Sequence, residues 1–109
     1  MEDIERKRIE AIADIIKAMA HPSRLIVVTE LAEKDRCVCE LNEKVDADMS
    51  TVSKHLSILK SAGIVETTKK GARVYYSLKA KCVLGLIDCV EELLKTSAEE
   101  VSKIMGDKK

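Results

Sequence analysis

The sequence predicts an α+β fold that is mostly α. Its order is helix, helix, short helix, helix, two-stranded β-hairpin, helix. Two observations carry that expectation. Apolar residues recur at helical spacing through most of the chain, and two short extended runs meet at Lys70-Gly71. A chain of 109 residues is expected to form a single domain, 1–109. Its core must be aliphatic, because Phe and Trp are absent and the only aromatic rings besides histidine are Tyr75 and Tyr76.

The first helix follows from Ile9, Ile12, Ala13, Ile16, Met19 and Ala20 on one stripe. Pro22 ends it and suits the first turn of the next helix, with His21 as a cap or packing residue. That second helix, residues 23–34, carries Leu25, Val28, Leu31 and Ala32. A break at Asp35-Arg36 leads into Cys37-Val38-Cys39, and a short helix through Leu41 and Val45 stops near Asp46. Asp48 or Ser50 then caps a fourth helix whose inward stripe is Val52, Leu56 and Leu59. Gly63 terminates it. The extended runs 64–69 and 72–78 follow, and a last helix starts near Lys81 with Cys82, Leu86, Cys89 and Leu93 on one stripe. Val83, Ile87, Val90 and Leu94 lie beside that stripe. The four methionines are scattered and suggest only core filling.

Net charge is zero, but the charges are unevenly distributed. Residues 50–81 contain Lys54, Lys60, Lys69, Lys70, Arg73, Lys79 and Lys81 against the single acid Glu66, while the flanking segments are net acidic. Phosphate binding needs a local field, and this window supplies one. A short helix, a tight turn and a capped helix make a helix-turn-helix. The outward face of the second helix carries Ser50, Lys54, Ser57 and Ser61, flanked by Thr51 and Ser53, with His55 on the flank. Small hydroxyl side chains let a helix sit deep in a major groove and bond to phosphates and base edges. Lys69, Lys70 and Arg73 mark the hairpin as a cationic wing beside that helix. A serine-rich solvent face explains the hydroxyls alone, but not the charge island and the basic hairpin that accompany them. The predicted partner is double-stranded DNA.

Cys37 and Cys39 admit three readings on their own: small core residues, a disulfide element, or half of a soft-metal site. On a regular helix their side chains point about 200° apart, so joint chelation requires extended or first-turn geometry. A helix start also favours the thiolate. Two thiolates select arsenite, antimonite, Cd(II), Pb(II), Zn(II) or Cu(I). Cys82 and Cys89 share a helix face about 10 Å apart along the axis, too far for one ion with bonds of about 2.3 Å. Two antiparallel copies meeting near Gly85 bring Cys82 of one to Cys89 of the other. The alternatives are packing in an apolar seam and a redox or persulfide switch.

Five stretches together resemble the ArsR/SmtB family of winged-helix repressors that respond to metals, metalloids or redox state. They are Ala20-His21-Pro22-Ser23-Arg24-Leu25, Cys37-Val38-Cys39-Glu40-Leu41, Ser50-Thr51-Val52-Ser53-Lys54-His55-Leu56, Leu59-Lys60-Ser61-Ala62-Gly63-Ile64-Val65 and Gly71-Ala72-Arg73-Val74-Tyr75-Tyr76-Ser77-Leu78. The resemblance implies a homodimer built on the first and last helices, an operator with an imperfect inverted repeat, and release by inducer. It implies DNA-facing roles for Ser50, Thr51, Ser53, Lys54 and His55. It also implies a metalloid box at Cys37 and Cys39, with arsenite or antimonite as the expected inducer. One form of that box has a third cysteine where this chain has Asn42, and the N-terminal arm offers no cysteine. Of the family's last-helix zinc ligands only Cys82 matches; Ala80, Leu93 and Thr96 occupy the other positions. A third ligand must then come from Cys82, Cys89, a small-molecule thiol or solvent.

Two rivals remain at this stage: a thiol redox or persulfide sensor of the same fold, and a metal-buffering or metallochaperone protein. Enzymatic chemistry is not expected, since there is no acid/base pocket motif, phosphate loop or C-x-x-C. The mixed-charge N-terminus does not resemble a targeting signal, and no apolar run reaches transmembrane length. The expected location is the cytoplasm, where thiols stay reduced.

Overall fold

The computed structural model describes residues 2–105. The helices are α1 (Asp3–Met19), α2 (Pro22–Glu33), α3 (Val38–Val45), α4 (Met49–Ser61) and α5 (Val83–Met105). The strands are β1 (Arg36–Cys37), β2 (Val65–Lys70) and β3 (Arg73–Leu78). This is the predicted winged helix-turn-helix, with one addition. The hairpin gains a third strand, because Arg36 and Cys37 pair antiparallel with Tyr76 and Tyr75, giving the order β1-β3-β2. A two-residue strand has no periodicity to read, so the sequence showed only a break there.

Local chemistry accounts for the element ends. His21 caps α2 by accepting the Ser23 N–H at its Nδ1, 3.0 Å away, and Pro22 takes the first helical position. Asp48 caps α4 by accepting the Thr51 N–H at 2.8 Å. Asp46 closes α3 in the left-handed region at φ 59°, a conformation that Asp tolerates because its short polar side chain can hydrogen-bond locally. The wing pairs Lys70 with Arg73 around a two-residue turn. Gly71 stands first in that turn at φ 63°, where a residue without Cβ meets no steric penalty.

The core is one aliphatic cluster. Val27, Val28 and Leu31 of α2 meet Leu41 and Val45 of α3, Val52, Leu56 and Leu59 of α4, and Ile64, Val65 and Leu78 of the sheet. The inward stripe predicted for α4 is fully buried. Arg36 fastens β1 to α2. Its Nε donates to the Glu30 carbonyl at 3.1 Å, and its Nη2 lies 2.8 Å from Glu33 and 3.1 Å from Glu30 carboxylate oxygens. That buried guanidinium sets the position of the next residue, Cys37.

The outer helices behave differently. Of the apolar positions expected on α1, only Met19 is buried, with its neighbour Ala18, while Ile9, Ile12 and Ile16 remain exposed. On α5, Val83 is buried, but Leu86, Val90, Leu93 and Leu94 face outward. The radius of gyration, 17.3 Å, exceeds the about 13 Å of a compact domain this long. Cys82 lies in the turn before α5 rather than on its stripe, and both Cys82 and Cys89 are exposed.

Candidate functional site

Two candidate sites stand next to each other: a face for nucleic acid on α4 and the wing, and a thiol pair at the start of α3. On α4, Ser50, Thr51, Ser53, Lys54 and Ser57 are all exposed on the side away from the core. The Ser50 hydroxyl donates to Asp48 Oδ1 at 3.0 Å, which leaves its lone pairs facing outward as acceptors. Hydrogen bonds from Thr51, then Ser50, hold the Asp48 carboxyl below its ordinary range. The cap therefore stays ionised and keeps the helix entry fixed.

His55 departs from the expectation. It is 7% exposed and turned into the molecule. Arg24 Nε donates to its Nδ1 at 3.0 Å, and its ring lies 4.5 Å from that of His21. Burial, then the nearby groups His21, Arg24 and Lys54, lower its pKa. A neutral ring that accepts from Arg24 locks α4 to the α1–α2 corner, since Arg24 Nη1 also donates to the Ala18 carbonyl at 3.3 Å. His55 thus supports the helix rather than facing DNA. It follows Lys54 by one helical step of about 100°, enough to turn a flanking position inward.

On the wing, Lys69, Lys70 and Arg73 are exposed. Lys70 Nζ lies 5.3 Å from the centroid of the Tyr75 ring, and the Tyr75 side chain is the largest influence holding the Arg73 pKa above its ordinary value. Tyr75 is also the residue that pairs with Cys37. The wing's cations and the thiol site therefore share a single strand register.

At the thiol site, Cys37 is extended at φ −83°, ψ 168° and caps α3, whereas Cys39 lies in its first turn. This combination brings the two sulfurs to 2.6 Å. Cys37 is buried and Cys39 exposed. The cap is a reciprocal box with sulfur in the usual hydroxyl place: Cys37 Sγ accepts the Glu40 N–H, and Glu40 Oε1 accepts the Cys37 N–H at 3.0 Å. The hydrogen bond from Cys39, then that from the Glu40 backbone, lowers the Cys37 thiol pKa; the same Cys39 bond raises its own. The S–H of one cysteine therefore stabilises the thiolate of the other. The bond to the Cys37 N–H likewise lowers the Glu40 carboxyl. Val38, Arg73 and Val74 complete an open groove around the two sulfurs. The donor set suits a soft ion, because two sulfurs converge within one turn. Cys82 and Cys89 are not part of it: among the described residues no three His, Cys, Asp or Glu side chains are gathered to hold a metal ion.

Sequence reasoning missed Glu40, Tyr75 and Arg24. Glu40 carried a signal, an acidic residue three positions after a potential cap. Tyr75 and Arg24 act through strand register and a contact thirty-one residues distant, which no local pattern encodes.

A winged helix with an exposed hydroxyl-and-lysine face on its second reading element defines a DNA-binding regulator. Comparison with known proteins agrees. Residues 21–67 match the family model described as bacterial regulatory protein, arsR family. An uncharacterized HTH-type transcriptional regulator of Methanocaldococcus jannaschii is 38% identical over 88 residues, covering 80% of this chain and 99% of that protein. A biofilm growth-associated repressor of Xylella fastidiosa is 30% identical over 99 residues, covering 91% of this chain and 86% of that protein. The solution structure of a homodimeric winged helix-turn-helix DNA-binding domain from Mycobacterium bovis superposes with a TM-score of 0.78 at 28% identity, covering 92% of this chain and 93% of that one. The chain belongs to the ArsR/SmtB family of winged-helix transcriptional regulators. Among the described residues no helix is long and apolar enough to cross a membrane.

Proposed function

We propose that this chain is a homodimeric repressor that leaves its operator when arsenite, antimonite or a similar soft species binds Cys37 and Cys39. The observation that carries the reading is the convergence of two sulfurs at the cap of the helix that precedes the reading helix. The exposed apolar faces of α1 and α5 supply the dimer seam, since Ile16, Leu86, Val90 and Leu94 line one continuous groove. A two-fold dimer reads an inverted repeat with half-sites about 34–36 Å apart. Ser50, Thr51, Ser53, Lys54 and Ser57 meet the major groove, and Lys69, Lys70 and Arg73 the flanking backbone. The protein works by binding rather than by catalysis, and in the cytoplasm.

Release follows from the cap. Ligation at about 2.3 Å per bond ties both sulfurs to one ion. It also occupies the sulfur that accepts the Glu40 N–H. Loosening this cap shifts α3, whose Leu41 and Val45 share the core with Val52 and Leu56 of α4. Because Cys37 pairs with Tyr75, the same movement reaches the wing. Operator affinity measured by fluorescence anisotropy should fall by at least about a hundredfold with arsenite, a shift several kcal/mol of differential binding can supply. Unchanged affinity in a fully reduced, arsenite-saturated protein would contradict the proposal.

A second reading is a redox or persulfide sensor. It is favoured by one feature: a thiol of lowered pKa beside a thiol of raised pKa resembles a nucleophile with its resolving partner. Oxidant or polysulfide in place of arsenite separates the two.

A further inference from the structure

We propose that the groove beside Cys37 and Cys39 takes the soft ion together with a small anionic thiol, whose sulfur is the third donor and whose carboxylate pairs with Arg73. The inference rests on the arsenite reading above and assigns the missing ligand.

Three observations support it. Among the described residues the protomer gathers two donors at this site and not a third. Asn42, one turn after Cys39, presents an amide, a poor match for a soft ion, and Cys82 and Cys89 are not gathered with the pair. Next, the groove is open and has room. Its volume is about 250 Å³, with Val38 and Val74 as apolar walls beside the sulfurs. Water occupies about 30 Å³ per molecule in the liquid, so several heavy atoms fit. Last, Arg73 lines the same groove as both sulfurs. Among the described residues no carboxylate lies within ion-pair distance of it. A planar guanidinium is suited to a carboxylate.

The chemistry balances without an oxidant. Arsenic enters as As(OH)₃. Each of three thiols yields its proton to a departing hydroxyl, three arsenic–sulfur bonds replace three arsenic–oxygen bonds, and three waters leave with arsenic still trivalent.

Neutralising the thiolate alone releases Arg73 toward phosphate, which favours DNA. A carboxylate beside the bound arsenic holds Arg73 in the groove and withdraws a wing cation from the operator.

The test titrates the reduced dimer with arsenite and reads the ultraviolet arsenic–sulfur absorption, with no DNA present. Mercaptoethanol supplies a neutral third thiol and mercaptoacetate an anionic one, each with wild type and Arg73→Gln. The proposal predicts that mercaptoacetate strengthens arsenite binding relative to mercaptoethanol by about three- to fivefold more in wild type than in Arg73→Gln, the upper range for an exposed ion pair. Comparing the ratios cancels the solution affinity of each thiol for arsenic. Native mass spectrometry should show one arsenic and one mercaptoacetate per site. Equal ratios in the two proteins overturn the proposal and leave the arsenite reading intact. Arsenite binding that ignores both thiols and is lost in Cys82→Ser/Cys89→Ser overturns it too, by revealing a protein third donor. No arsenic–sulfur absorption with either thiol overturns the arsenite reading and this inference together.

Discussion

The molecule has two halves, and each carries two cysteines. In the reading half, from α2 to the wing, a buried arginine, a capping box and a strand pairing bring Cys37 and Cys39 to 2.6 Å. In the half proposed to pair, α1 and α5, Cys82 precedes α5 and Cys89 sits two turns later, both free and exposed. The difference lies in the backbone. An extended residue followed by a first helical turn aims two side chains at one point, whereas the two helical turns between Cys82 and Cys89 set them apart along an axis. Cysteine content says little about a site; a switch of conformation between two cysteines says more.

The largest expected effect breaks the pairing half. Leu93→Glu with Leu94→Glu places charge on the exposed α5 face and should give a monomer by sedimentation. Operator affinity should fall by at least about a hundredfold, because one half-site cannot replace two. A dimer that survives with full affinity means the seam lies elsewhere. In the reading half, Lys54→Ala should weaken operator binding by about tenfold and reduce the salt slope by about one. His55→Gln, one residue on, should leave operator affinity within about threefold. It should instead cost about 1–3 kcal/mol of folding stability, as a buried hydrogen-bonded ring is lost, read by urea denaturation.

That contrast between neighbours shows where sequence reading works. The α4 periodicity identified Val52, Leu56 and Leu59 as the core stripe, and they are fully buried. It did not place His55, because a flanking residue goes in or out according to what packs opposite, and Arg24 comes from another helix. The hairpin and the element order were legible from Gly63, Lys70-Gly71 and two extended runs. Strand β1 was not, since only its pairing with Tyr75 and Tyr76 defines it. The Cys37/Cys39 pair was recognisable as a soft-ligand motif, but its hydrogen-bonded cap and its link to Arg73 depend on register.

Smaller effects sharpen the comparison further. Glu40→Ala removes one arm of the capping box and should cost about 1 kcal/mol, with a rise in the pH at which Asp/Glu-linked acid unfolding ends. The sign is that of a depressed carboxyl: its stabilisation is present above the unfolded pKa and is lost as pH falls through the folded one. His55 has the same sign for a different reason. Its folded pKa is lowered by burial, so its contribution is intact above the ordinary histidine range and declines as pH falls through the folded value. The decline should vanish in His55→Gln. Finally, Cys39→Ala removes the bond that most lowers the Cys37 pKa, so thiolate absorbance of Cys37 should shift to higher pH, while Cys89→Ala leaves that titration in place.

The central claim is that the reading half alone senses. The most direct measurement is operator release by arsenite, followed by anisotropy, in Cys37→Ser/Cys39→Ser and in Cys82→Ser/Cys89→Ser. The account predicts that the first protein holds its operator at every arsenite concentration and that the second releases it as wild type does. Release from the first, or a silent second, would contradict it.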